Sequence, residues 1–209
     1  MARLFNRNFI VGVTGSIAAY KAAELTRSLI REGANVRVIM TEGACEFITP
    51  LTLQALSGHQ VHTDLLDTEA EAAMGHIELA RWADALLIAP ASADSIARLV
   101  QGRADDLLGA CALATPAPVF VAPAMNQEMW AKQATQDNVQ TLISRGIAML
   151  GPSSGSQACG DVGAGRLLEP DDIVSAVAEH LSTGALSGRH VVITAGPTRE
   201  PICPVRYIS

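Results

Sequence analysis

Five short apolar runs, interleaved with helix-length segments, constrain this chain more than any other feature. They are FIVGV at residues 9–13, NVRVIM at 35–40, ALLIAP at 85–90, PVFVAP at 118–123 and IAMLG at 147–151. A strand that is apolar at nearly every position must be buried on both faces, as the strands of a parallel sheet covered by helices are. The intervening segments, at residues 16–33, 92–102, 104–115 and 135–146, read as the crossover helices such a sheet needs, with Gly33 as the stop of the first. The pattern predicts a doubly wound α/β domain of three layers, helices on both sides of one parallel sheet, with its ligand site at the carboxyl ends of the strands. Hydrophobic residues make up 49% of the chain and aromatics only 4%, so the core must be built of Ala, Val, Leu and Ile.

One more helix is expected at residues 170–182, followed by a linker, TGALSGR, at 183–189. HVVITAGPTREPICPVRYIS, at 190–209, then starts a fresh strand and turn. The expected organisation is a main domain over 1–182, the linker, and the opening of a second domain that stops soon after it begins. The formal charge of −6 comes without a basic run, which leaves no electrostatic footprint for nucleic acid or anionic lipid, so an anionic ligand must be held locally. No apolar stretch reaches the roughly 18 residues a membrane span needs, and the N-terminus passes into a strand without a signal-peptide cleavage site. A soluble, cytoplasmic protein is expected. Cys45, Cys111, Cys159 and Cys203 are far apart in sequence with no C-x-x-C pair, which suggests neither a zinc site nor a disulfide framework.

The strand ends carry the candidate chemistry. VGVTGSIAAYK places Thr14, Gly15 and Ser16 where the first strand passes into the first helix, a position at which free backbone N–H groups hold a phosphate. The spacing fits neither a Walker loop nor the three-glycine dinucleotide fingerprint. A plain tight turn at Gly15 with Ser16 as helix cap explains the same residues. Thr41 ends the second strand and can add a hydroxyl. APASADS and APAMNQEMW, after the third and fourth strands, offer small residues beside which a flat ring can lie: Pro90, Ala91, Ser92 and Met125. Asn126 presents an amide suited to a carboxylate or a ring edge, or else caps the helix beginning there. His76, after a glycine, can titrate near neutral pH or simply sit at a helix start. Cys159, in GSQACGDVGAGRLLEP, lies in a stretch with no apolar period, which reads as a mobile loop.

In order and spacing, VGVTGSIAAYK, MGHIELARWAD, PAMNQEMW and GSQACGDVGAGRLLEP resemble the flavin-dependent cysteine decarboxylase family, in particular the phosphopantothenoylcysteine decarboxylase half of bacterial bifunctional coenzyme A biosynthesis proteins. The tail VVITAGPTREPICPVRYIS resembles the opening of their phosphopantothenate–cysteine ligase half, whose nucleotide site and activity are then expected to be missing from this chain. The resemblance implies a Rossmann-like flavoprotein with FMN at the strand ends. Gly15, Ser16 and Ile17 would hold the flavin from the first turn, Thr41 and Phe47 would approach its phosphate and ring, and Pro90, Ala91, Ser92 and Met125 would frame the isoalloxazine. It implies His76, Asn126 and Cys159 as catalytic residues, and trimers assembling into a dodecamer with sites at subunit boundaries.

The implied reaction is decarboxylation of 4′-phospho-N-pantothenoylcysteine to 4′-phosphopantetheine. Direct loss of carbon dioxide would leave a carbanion with no electron sink. Hydride removal from the carbon bearing sulfur gives a thioaldehyde that can accept those electrons, and the resulting enethiol is then re-reduced and protonated. A thiol of ordinary pKa, about 8.5, is mostly protonated at neutral pH, which makes Cys159 the candidate acid. His76 is then the base or orienting group for the oxidation, and Asn126 the clamp on the substrate carboxylate. A prenyl-transferring flavin enzyme, a regulatory flavoprotein without chemistry and a nicotinamide oxidoreductase are the other classes open to this sheet.

Overall fold

The structure, a computed structural model, describes residues 2–65, 75–182, 192, 200–201 and 207–208. The chain begins with β1 (Asn8–Val13), a 3-10 turn (Ile17–Tyr20), α1 (Lys21–Arg31), β2 (Asn35–Met40), α2 (Glu42–Cys45) and α3 (Pro50–Ser57). It continues through α4 (His76–Trp82), β3 (Ala85–Ala91), α5 (Ala93–Gln101), α6 (Leu107–Ala114), β4 (Val119–Pro123), α7 (Gln127–Ala131), α8 (Gln133–Ser144) and β5 (Ala148–Met149). A hairpin of β6 (Ser153–Ser156) and β7 (Val162–Arg166) precedes α9 (Pro170–Leu181), and β8 (Glu200–Pro201) pairs antiparallel with β9 (Tyr207–Ile208).

β1 to β5 form one parallel sheet in the order β2-β1-β3-β4-β5. Alternation along each strand explains why the strands read as unbroken apolar runs. Phe9, Val11 and Val13 face one core with Val36, Val38, Leu87 and Phe120, against α1, α3 and α9. Ile10, Leu86, Ile88 and Val121 face the other, with Leu79, Ile96, Leu108 and Leu142 of α4, α5, α6 and α8. Both faces are therefore dry, and the chain is a doubly wound, three-layer α/β/α fold of the Rossmann-like kind.

Strand order reverses between β1 and β3, which leaves a crevice where neighbouring crossovers depart to opposite faces. Thr14 fixes its floor. This fully buried residue donates its hydroxyl to the Pro90 carbonyl at 2.8 Å and accepts the Ser92 N–H at 2.9 Å, tying the two strand ends together.

The sequence predicted one helix over residues 16–33; the structure opens this segment with the 3-10 turn, Ser16 Oγ accepting the Ala18 N–H at 3.3 Å, and α1 follows. The fifth strand, expected over 147–151, pairs with β4 only at Ala148–Met149. A larger correction concerns the stretch around Cys159. Most of it is an ordered antiparallel hairpin in which Ser153 lies opposite Arg166 and Ser156 opposite Val162. It escaped an apolar-period reading because its strands are serine and glycine, held by backbone pairing and by docking on another segment. The expected linker at 183–189 and most of the expected second-domain opening lie outside the described residues. Among the described residues no helix is long and apolar enough to cross a membrane.

Candidate active site

The crevice opens into a cavity of about 430 Å³ at the carboxyl ends of β1, β3 and β4, roofed by the hairpin. That volume lies within the range of small-molecule sites, about 300–1,000 Å³. One wall is the first turn, Gly15 to Ala18. Gly15 packs closely on the next loop: a Cβ there would sit 3.2 Å from the Gly43 carbonyl carbon and oxygen, tighter than most such contacts. The N–H groups of Gly15, Ser16 and Ile17 donate to no described residue, while the Ser16 hydroxyl reaches back to the Ala124 carbonyl at 3.4 Å. The opposite wall is Ala124, Met125 and Asn126 after β4, with Met129 beyond.

The hairpin docks on that wall through its glycines. Met125 N–H donates to the Gly165 carbonyl at 2.9 Å, and Gln127 N–H donates to the Gln157 side-chain oxygen at 3.0 Å. Gly165 has a φ of +131°, and a Cβ there would run into the Met125 carbonyl oxygen; a Cβ on Gly163 would run into the Gln127 side chain. The docking puts the hairpin tip over Asn126. Asn126 caps α7, its Oδ1 accepting the Glu128 N–H at 2.8 Å, so its Nδ2 points the other way. That nitrogen donates to Cys159 Sγ at 3.4 Å and to Asp161 Oδ2 at 3.0 Å, and the thiol in turn donates to Asp161 Oδ2 at 3.3 Å. Cys159 itself is exposed.

At the far end of the cavity Lys21, one-tenth exposed, places Nζ 3.0 and 2.9 Å from the two Glu169 oxygens, and Arg166 contacts the same carboxylate at 2.6 Å. The Lys21 hydrogen bond, aided by its charge and that of Arg166, holds the Glu169 carboxyl below the usual carboxylate range. Two cations against one anion leave this end net positive. Of the other described thiols, burial, with the Asp106 charge as a lesser cause, pushes Cys111 up to about 12, and burial with Glu46 and Glu42 pushes Cys45 up. Among the described residues no group of three or more His, Cys, Asp or Glu is placed to hold a metal ion.

The cavity thus brings together Gly15, Ser16, Ile17, Ser92, Met125, Asn126 and Cys159 from the sequence expectation. Five others do not line it. Thr41 caps α2 by accepting the Ala44 N–H at 3.3 Å, and Phe47 is half exposed. Pro90 and Ala91 are buried inside β3. His76 begins α4, where its carbonyl accepts from the Cys111 thiol at 3.6 Å and its buried Nδ1 has no hydrogen-bond partner among the described residues. Sequence reasoning passed over Asp161, Gln157, Lys21, Arg166 and Glu169. Asp161 and Gln157 each stand two residues from Cys159, but nothing in the sequence shows that the chain folds back there.

A family model described as Flavoprotein matches residues 3–182. The chain belongs to the Flavoprotein family. A second family model, the DNA/pantothenate metabolism flavoprotein C-terminal domain, matches residues 186–209. This flavoprotein is 58% identical over 208 residues to the coenzyme A biosynthesis bifunctional protein CoaBC of Haemophilus influenzae, and 57% identical over 207 residues to that of Escherichia coli K12. Each match covers 99% of the chain but only 52% and 51% of the relative, so the chain spans about half the length of these curated relatives. Among solved structures, a cysteine-to-serine variant of PPC decarboxylase complexed with pantothenoylaminoethenethiol superposes with a TM-score of 0.75 at 32% identity, covering 85% of this chain and all of that one. The FMN binding protein AtHal3 superposes with a TM-score of 0.73 at 33% identity, covering 86% of this chain and 99% of that one.

Proposed function

We propose that this flavoprotein is a cytoplasmic, FMN-dependent decarboxylase that converts 4′-phospho-N-pantothenoylcysteine to 4′-phosphopantetheine in coenzyme A biosynthesis. Similarity to CoaBC proteins and to PPC decarboxylase supports the reaction class. The observation that carries the reading is local: an amide donor and a thiol, 3.4 Å apart, face one another over a cavity at the strand-order reversal. The residues present suit FMN. The N–H groups of Gly15, Ser16 and Ile17, unbonded to any described residue, and the Ser92 hydroxyl offer donors to its polar groups, and the side chains of Ile17 and Met125 offer apolar surface to its ring. When bound, FMN supplies a two-electron acceptor and donor, so that the carbon bearing sulfur can pass through the thioaldehyde state in which carbon dioxide leaves readily.

The protein's own groups do the rest. Asn126 Nδ2, its direction fixed by the cap its oxygen makes, holds the substrate carboxylate. Cys159 gives its proton to carbon after carbon dioxide has left and recovers one from solvent. The hairpin tip excludes water while this happens. His76, which does not line this cavity in its own chain, serves the oxidation step from a neighbouring copy in a homo-oligomer of trimers assembled into a dodecamer. The exposed side chains of Ile17, Tyr20, Phe47 and Leu51 supply apolar surface for such an assembly. The organisation we propose is a decarboxylase domain over 1–182, a linker at 183–189 and the start of a ligase domain at 190–209; the match over 186–209 supports a second domain that begins near there.

Mass spectrometry of the substrate after incubation with FMN-loaded protein tests the reading. Wild type yields a product lighter by carbon dioxide, and Cys159→Ser accumulates a species two hydrogens lighter still, the unreduced enethiol. Unchanged substrate with both proteins, FMN bound, overturns it.

A further inference from the structure

Asp161 holds the Asn126 amide and the Cys159 thiol at once. Its Oδ2 accepts from Asn126 Nδ2 at 3.0 Å and from the Cys159 thiol at 3.3 Å. Its backbone closes the tip, since the Gln157 N–H donates to the Asp161 carbonyl at 2.8 Å and the Gly160 N–H to the Gln157 carbonyl at 3.0 Å. The Asn126 amide cannot turn away to avoid it without breaking the α7 cap. The two N–H groups of Asn126 Nδ2 are thus both engaged, one by the Cys159 sulfur and one by a carboxylate that belongs to the chain itself.

We propose that Asp161 is a positioning residue that orders the two halves of the reaction, an inference that rests on the decarboxylase reading of Asn126 and Cys159. A substrate carboxylate that binds the Asn126 amide meets the Asp161 carboxylate on the same nitrogen, and two like charges that close repel. A bound substrate therefore displaces Asp161, and with it the thiol hydrogen-bonded to that side chain. While the carboxylate is present, the proton donor is held away from the reacting carbon. Once carbon dioxide has left, the Asn126 donor is free, Asp161 returns to it, and Cys159 arrives with it at the moment its proton is needed. Asp161 makes and breaks no covalent bond; it exchanges one hydrogen bond for another.

The test is a comparison of FMN-loaded wild type, Asp161→Asn and Asp161→Glu. In Asp161→Asn the competing charge is gone: the KM for 4′-phospho-N-pantothenoylcysteine falls several-fold, kcat falls, and a larger share of each turnover escapes as the enethiol. The inhibition constant of 4′-phosphopantetheine, which has no carboxylate to compete, stays at the wild-type value. Asp161→Glu, with the charge restored, brings KM back toward wild type. Asp161→Asn with an unchanged KM and enethiol share overturns the proposal. So does a rise in KM matched by a rise in the product's inhibition constant, which would mark Asp161 as a structural part of the turn. If wild type itself releases no carbon dioxide, the decarboxylase reading falls and this inference with it, a result separable from the other two because it shows before any variant is made.

Discussion

At Gly165 a single missing side chain decides whether the site exists. Its φ of +131° is a conformation L side chains rarely adopt, and a Cβ would collide with the Met125 carbonyl oxygen. Gly165→Ala must lift the hairpin from the wall that carries Asn126. We expect a loss of about 1–3 kcal/mol, the usual range for a forced backbone outlier, and a larger proportional loss of turnover, read by urea unfolding beside a carbon dioxide release assay; wild-type values in both would show that the hairpin is not anchored there. The thiols offer a second check on single residues. Cys111 is fully buried and pushed up to about 12, whereas Cys159 is exposed. Iodoacetamide at neutral pH should alkylate Cys159 in the folded protein and leave Cys111 untouched until denaturant is added, with peptide mapping as the readout.

Between elements, Lys21 of α1, Arg166 of β7 and Glu169 at the start of α9 form the joint that holds the hairpin base to the domain. The sign of its pH dependence follows from the depressed Glu169 carboxyl. A carboxyl whose folded pKa lies below its unfolded one stabilises the fold above the ordinary carboxylate range, and that contribution disappears as pH falls through the depressed value. The Glu169 side chain is half exposed, so screening keeps the effect small, about 1 kcal/mol or less. Urea midpoints of Glu169→Gln should lie below wild type at pH 7 and converge with it in acid; a constant gap at every pH would refute the ionic account. The same scale shows what was readable in the sequence. Strands β1 to β4 could be read because residues such as Phe9 and Ile10 point into different cores and both must be apolar. The hairpin could not, because Ser153–Ser156 and Val162–Arg166 are held by pairing and by glycine docking, which leave no periodic trace. Asn126 and Cys159 were visible as motif members, whereas Asp161 becomes meaningful only when the tip folds over Asn126.

For the whole molecule, the separation of His76 from the cavity of its own chain sets the sharpest test of assembly. When His76→Asn and Cys159→Ser proteins are co-expressed, neither active alone to product, mixed oligomers should recover about a quarter of wild-type turnover, the share of subunit boundaries that pair an intact His76 with an intact Cys159 when copies mix at random. No recovery would place both residues in one chain's site. The anchoring of the hairpin has a final consequence, for timing. Its stem is fastened to Met125 and Gln127 through Gly165 and Gln157, so the segment able to swing without breaking those bonds is the tip, Ala158 to Asp161. Small loop motions take nanoseconds to microseconds, far shorter than the roughly 1–1,000 ms of a typical enzymatic cycle. A tip of four residues has little to reorganise, so a turnover rate unchanged by added viscogen is the expected sign that its opening does not set the pace.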